Sequence, residues 1–261
     1  MVADLHNHTK YCNHAVGEVD EYVQKAIDEG ITHFGFSCHA PMGFDPEHRM
    51  SFEQLPLYKN DIFSAREKFD SKIEVLLAYE VDYFEGHMEE SILKDRDIDY
   101  LIGSVHFLKG WGVDHPDSIF DYKSKNIDTI WEEYLGAIGE MADTGYFDIV
   151  GHMDLVKIFN FYPQKDIRLP LQATLKKIKK ANMTIEINAS GLRKPVSEQY
   201  PSLDILREAN SFDIPITFSS DAHDPCHIGE GRDVCERLAL EAGYDKYVCF
   251  KKRDRFFIPI S

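Results

Sequence analysis

Histidine occurs twelve times in this chain, and several copies sit near acids at spacings that could collect a metal ion or an anion. His6 and His8 form an H-x-H pair, and His39, Glu80, His106, His152, Asp221, His223 and Arg193 are spread over the rest of the sequence. On an extended segment, side chains two residues apart face the same way, so His6 and His8 point together. Neutral imidazole plus carboxylate, without thiolate, suits Zn, Mn or Fe at a hydrolytic centre. So many donors exceed the needs of one ion, and an acid such as Glu80 can bridge two ions about 3.5–4 Å apart. A single histidine is more often packed or solvated than liganding, and His33, His48, His87, His115 and His227 are read that way.

The other histidines share a position in the fold. Short runs rich in Ile, Val and Phe alternate with amphipathic stretches of helical period. Strands are expected at 2–5, 33–38, 73–79, 100–105, 147–150, 184–188 and 216–219. Helices are expected at 18–28, 52–69, 88–93, 127–142, 171–180, 203–210 and 234–242, and an apolar run at 247–250 closes the chain. Lys176, Lys177, Lys179 and Lys180 read as the solvated face of their helix, opposite Leu171, Leu175 and Ile178. Seven strand-then-helix units imply a parallel sheet with helical crossovers, closed as a barrel or left open as a doubly wound sheet. His6 and His8 follow the first strand, His39 the second, His106 the fourth and His152 the fifth. Glu80 ends the third, Arg193 lies beyond the sixth, and Asp221 and His223 follow the seventh. The carboxyl ends of parallel strands form one face, where active sites are built. Buried imidazoles and carboxylates gathered there are costly unless cations satisfy them.

Composition narrows the class. The chain has 261 residues, 43% hydrophobic and 28% charged, which fits one domain spanning residues 1–261. The net charge of −16 repels nucleic acid and anionic membrane surfaces. No run of about 20 apolar residues offers a transmembrane helix. The amino-terminal MVADLHNHTKYCNH lacks a signal-peptide apolar region, so a cytoplasmic location is expected. Cys12, Cys38, Cys226, Cys235 and Cys249 are scattered and odd in number, as in a reduced compartment.

At these same residues the sequence resembles the polymerase-and-histidinol-phosphatase (PHP) family, over essentially its whole length. DLHNHT with YCNHA resembles the first family motif and FSCHAP the second. YEVDY, GSVHFLKGWGVD, DIVGHMDL and FSSDAHDPCHIG match later motifs in order, and INASGLRKPVSEQYPS resembles a stretch of the histidinol-phosphate phosphatase branch. The resemblance implies a distorted (β/α)7 barrel, TIM-like, with its site at the carboxyl ends of the strands. It implies three divalent metal ions. The first would be held by His6, His8, Glu80 and Asp221, the second by Glu80, His106 and His152, the third by His14, His39 and His223. His14 enters the set only through the resemblance. Two positions depart from the family pattern: Cys38 stands where Asp is common, and Lys157 where related phosphatases often carry Arg. Lys keeps the charge but loses the bidentate fork.

The expected chemistry is hydrolysis of a phosphate monoester, with L-histidinol phosphate as the substrate the resemblance implies. Water shared between two ions loses its proton more easily and attacks phosphorus. Arg193 would hold a phosphate oxygen, Lys157 would assist, and a metal-bound water, Asp221 or His223 could relay a proton to the leaving group. Asp45, Glu47, Asp114 and Asp117 could meet the substrate ammonium, and the loop Lys109 to Tyr122 could wall the site. The alternatives are a related phosphoesterase on another small monoester, a nuclease on the same barrel, a non-catalytic metal-binding domain and an amidohydrolase barrel. The acidic balance opposes the nuclease, and the full donor set opposes a non-catalytic domain. The oligomeric state is not legible.

Overall fold

The computed structural model describes residues 2–260. Seven strands run parallel in the order β1 (Ala3–Asp4), β2 (His33–Phe36), β3 (Glu74–Asp82), β4 (Tyr100–Ser104), β7 (Ile149–Val150), β8 (Thr184–Asn188) and β9 (Ile216–Ser219). The amide of Leu5 donates to Phe218 O at 3.1 Å and a parallel bridge joins Asn7 to Ala222, so the last strand returns to the first. This is the distorted (β/α)7, TIM-like barrel that the family resemblance implies, the closed one of the two arrangements that the alternating pattern allows.

Helices α1 (Val19–Asp28), α2 (Leu55–Phe69), α3 (Glu90–Leu93), α4 (Ile119–Ser124), α5 (Ile127–Asp143), α6 (Arg168–Lys180), α7 (Leu203–Ser211) and α8 (Arg232–Glu241) connect and surround the strands. Helix α5 buries Ile130, Trp131, Tyr134, Leu135, Ile138 and Met141, the stripe its 3.6-residue period demands, and Asn126 caps it by accepting from the Thr129 amide. In α6 the lysines flank the buried Leu171, Leu175 and Ile178, and Lys177 pairs with Asp143. Helices α2, α3, α6 and α8 start two or three residues from their expected positions, and for two of them the local reason is plain. Helix α2 begins at Leu55 rather than Phe52, with Pro56 in its first turn, where the missing N–H costs nothing. Helix α8 begins at Arg232, directly after Gly231 in the left-handed region.

Inside the barrel a Cβ on Gly35 would lie 1.7 Å from Tyr100 Oη, so glycine is required for Tyr100 to cross the barrel and donate to Leu5 O. The terminal apolar run is β10 (Lys246–Lys251), paired antiparallel with β11 (Asp254–Pro259), a strand absent from the sequence reading. Its two-residue turn is Lys252–Arg253, both at positive φ, rather than the Asn-Gly type that advertises such a hairpin. The hairpin caps the amino ends of the strands. Arg253 reaches Asp148 just before β7, its amide donates to Asp99 O just before β4, and Lys251 pairs with Glu74 at the start of β3. Tyr247 and Phe250 pack on Phe218 and Tyr100. The opposite end of the barrel is left open for chemistry.

Candidate metal centre

At the carboxyl ends, a cavity of about 760 Å³ is lined by His14, His39, Glu80, His106, His152, Asp221 and His223, with His6 and His8 fully buried beside them. Residues 6–8 prolong β1: the His8 amide donates to Ala222 O, and Asn7 O accepts from Ser37. His6 and His8 therefore face the same way, with ring centroids 5.1 Å apart. Strand β3 runs past Glu80 to Asp82, and a parallel bridge sets His39 beside Glu80.

Glu80 is the hub. Its Oε2 lies 3.0 Å from His39 Nδ1, 3.3 Å from His6 Nε2 and 3.6 Å from His8 Nε2. Its Oε1 faces the other side, 3.0 Å from His152 Nε2 and 3.7 Å from His106 Nε2. Asp221 Oδ1 closes the first group, 3.2 Å from His8 Nε2 and 4.0 Å from His6 Nε2. Donors at about 2.0–2.1 Å from a tetrahedral ion stand about 3.4 Å apart, close to these separations. His6 Nε2, both ring nitrogens of His8 and His39 Nδ1 are buried without a hydrogen-bond partner. Buried polar atoms normally have partners, so these orphans fit divalent cations.

His14 belongs to the same constellation. Asn13, at φ 69, turns the chain back after Lys10–Cys12 so that His14 approaches His223 and His39, with ring centroids 4.7 and 5.4 Å apart. Its Nδ1 meets Cys12 O at 2.8 Å. The structure thus brings His6, His8, His14, His39, Glu80, His106, His152, Asp221 and His223 together. It also places Cys12 and Cys38 against His8.

Behind the imidazoles stands a layer of acids not singled out in the sequence. Glu186, on β8, accepts from His6 Nδ1 at 2.9 Å, from the His152 amide and from Asn188. Asp82 accepts from His106 Nδ1 at 2.6 Å and is paired with Arg49 at 3.0 Å. Such partners fix the tautomer, leaving the far ring nitrogen free to bind. Strand alternation was the available signal: Asp82 lies two residues after Glu80, and Glu186 two before Asn188.

Electrostatics follow from this packing. Burial alone would raise Glu80 and Asp221, but the imidazoles, His39 foremost for Glu80 and His6 for Asp221, outweigh it and hold both carboxyls well below their ordinary range. Burial would lower His8 and His106, but Asp221 lifts the first to about 9 and Asp82 the second to about 10. Burial, reinforced by the charge on His8, keeps His223 well below the ordinary histidine value. An ionised Asp221 and a neutral His223 are ready to ligate or to accept, not to donate.

Arg193 and Lys157 diverge. Arg193 lines the cavity and donates through Nη2 to the carbonyls of Ser220 and Asp221, while Nη1 makes no hydrogen bond. Lys157 is fully buried, its amine held by Asp154 at 3.0 Å, Glu198 at 2.7 Å and Gln199 O at 2.8 Å. As placed, that amine serves this cluster and does not face the cavity, which corrects the expected phosphate contact. Of the loop acids, Asp45 and Asp114 line the cavity, with Asp45 already engaged by Arg49 and His48, whereas Glu47 and Asp117 do not. The loop from Lys109 to Tyr122 starts at the turn of a small hairpin, β5 (Phe107–Leu108) paired with β6 (Trp111–Gly112), and runs into α4. It supplies Gly112, Asp114, His115 and Pro116 to the wall. His48 and His227, set aside in the sequence, also lie on the rim.

Comparison with known proteins agrees with this geometry. The model of the PHP domain family matches residues 4–190. A protein of Deinococcus radiodurans named "Probable histidinol-phosphatase" is 36% identical over 232 residues, covering 87% of this chain and 88% of the relative. The "Histidinol-phosphatase" of Bacillus subtilis is 28% identical over 258 residues, covering 87% and 95%. A crystal structure of histidinol phosphate phosphatase from Lactococcus lactis, complexed with zinc, L-histidinol and phosphate, shares the fold with a TM-score of 0.78 at 21% identity, covering 97% of this chain and 98% of that one.

Proposed function

This chain belongs to the PHP domain family, and on that premise we propose that it hydrolyses L-histidinol phosphate to L-histidinol and phosphate, a step of histidine biosynthesis. The observation that carries the reading is Glu80, whose two oxygens each face a separate imidazole group within one cavity. A carboxylate so placed fits two divalent ions.

His6, His8, Glu80 and Asp221 would hold the first ion, Glu80, His106 and His152 the second, and His14, His39 and His223 a third. Imidazole and carboxylate donors are compatible with Zn, Mn or Fe. Bound divalent ions supply charge for the phosphate oxygens and an acidified water. The chain supplies orientation. Glu186 and Asp82 keep Nδ1–H on His6 and His106, so that Nε2 of each presents a lone pair to the cavity. Arg193 lines the cavity, and its Nη1, 3.6 Å from Glu230 Oε2 and without a hydrogen bond, would hold a phosphate oxygen by a charge-assisted bond. Asp114, which also lines the cavity, meets the substrate ammonium.

Lys157 acts at a distance. It fastens Glu198 and Gln199, and the carbonyl of Glu198 sits so close to Gly191 that a Cβ there would lie 2.1 Å away. The segment that Lys157 holds is therefore the bed of the Ala189–Arg193 turn. Residues 1–261 form one catalytic domain in this reading. Among the described residues no helix is long and apolar enough to cross a membrane, and the cysteines are free thiols, as in the cytoplasm.

Phosphate release from L-histidinol phosphate and a panel of other monoesters tests the reading, on metal-replete protein, after chelation and after adding back Zn, Mn or Fe. A strong preference for L-histidinol phosphate that disappears on chelation is expected. Equal activity across the panel would refute the substrate, and activity indifferent to chelation would refute the metal centre.

A further inference from the structure

Cys12 and Cys38 have no part in the chemistry above, yet both are fully buried against the imidazoles. Cys12 is where two donor groups overlap. Its Sγ lies with ring nitrogens of His14 and His223 within a mutual 4.8 Å, and with His8 and Cys38 Sγ within the same limit. Cys12 and His14 are two residues apart across the left-handed Asn13, so one short turn delivers both. His8, beside them, is buried with neither ring nitrogen hydrogen-bonded.

We propose that Cys12 is a thiolate ligand of the third, outer metal position, joining His14 and His223 there. This rests on the metal-centre reading above and adds a sulfur donor to it. An ion with sulfur at about 2.3 Å and nitrogen at about 2.0–2.1 Å sets S and N about 3.6 Å apart in a tetrahedron. With the donors within 4.8 Å of one another, each sulfur–nitrogen pair needs to close by at most about 1.2 Å. On ligation the S–H bond breaks, a sulfur–metal bond forms and the proton leaves to solvent.

The local hydrogen bonding tolerates that loss. Cys12 Sγ donates to Thr9 O at 3.2 Å, but the same carbonyl also accepts from the Cys12 amide at 3.1 Å and from Cys38 Sγ at 3.6 Å. When Cys12 gives up its proton, these two bonds remain and no buried acceptor is stranded. A thiolate is a soft donor that favours zinc over manganese. The outer position is therefore the zinc-selective one.

Cobalt substitution of the full chain reads this directly, because a cobalt–sulfur bond gives a near-ultraviolet charge-transfer band that nitrogen and oxygen donors do not. The band is expected in the native sequence, lost in Cys12→Ser and kept in Cys38→Ser. X-ray absorption at the zinc edge of the unsubstituted protein needs no variant and should show a sulfur scatterer at about 2.3 Å. Bound metal with intact phosphatase activity but neither sulfur signal would overturn the thiolate and leave the metal centre standing. A band lost in Cys38→Ser instead would also overturn it. Failure to bind cobalt or zinc at all would sink the metal centre and the thiolate together.

Discussion

Replacing Glu186 by Gln tests how the acids behind the imidazoles tune the site. Glu186 Oε1 already accepts from the His152 amide at 2.6 Å and from Asn188 Nδ2 at 2.9 Å, while Oε2 takes His6 Nδ1 at 2.9 Å. In Glu186→Gln the amide oxygen keeps the two-donor side, so the NH2 falls opposite His6 Nδ1–H. Two donors then face each other, and His6 Nδ1 keeps only its longer contact, 3.2 Å, to the retained oxygen that already accepts two bonds. The cheapest escape moves the His6 proton to Nε2, the nitrogen 3.3 Å from Glu80 Oε2 that has no hydrogen-bond partner of its own. A protonated Nε2 cannot ligate. The cost expected for such a partner is 10–100-fold in metal affinity, about 1.4–2.7 kcal/mol. Zinc titration of the chelated protein against a competing chelator measures it, with nitrogen-15 NMR of the His6 ring reporting the tautomer. An affinity within about twofold of the parent, with Nδ1 still protonated, would refute the reasoning.

Arg193→Ala should lower kcat/KM for the phosphate monoester about 10–150-fold, the worth of a charge-assisted bond of about 1.5–3 kcal/mol; steady-state kinetics decide, and unchanged values would remove Arg193 from the phosphate site. Lys157→Met leaves the buried Asp154 carboxylate unpaired and should cost about 3–5 kcal/mol of stability in denaturant unfolding, with metal content unaltered. Without bound ions, His8 and His106 hold protons up to about 9 and about 10 because Asp221 and Asp82 favour the charged rings. Metal must displace those protons, so affinity should climb as pH rises through neutrality toward those values. Calorimetry in buffers of differing ionisation enthalpy should show net proton release at pH near 7, and its absence would contradict the ionisation pattern.

The raised histidines also bear on stability. Their folded values lie above the unfolded value of about 6.5. In the metal-stripped chain, the stabilisation they give is fully present below about 6.5 and is lost as pH rises through about 9 and about 10. Thermal unfolding of chelated protein across that window follows the same groups as the calorimetry.

Much of the fold was legible because its signal is local. The period of α5 and the apolar runs of the seven barrel strands are consequences of burial, and burial writes itself into neighbouring residues. The position of His6, His8, His39, His106, His152, Asp221 and His223 just after strands was legible too, since parallel strands must end on one face. The terminal hairpin was not. Its Lys252–Arg253 turn lacks the usual residue types and is held by Asp99 and Asp148, which lie more than a hundred residues earlier.

By itself the sequence determined the donor inventory, the strand each donor follows, the barrel and the family motifs, because these depend on residue type and order. Only the tertiary structure decided which atoms face which. Glu80 as a two-sided hub, Glu186 and Asp82 behind the imidazoles, and Cys12 beside His14 arise where separate strands converge. So does the diversion of Lys157, whose charge in the sequence suits a phosphate. In the fold its nearest carboxylates are Asp154 and Glu198, and a buried ammonium goes to the partners that are already there.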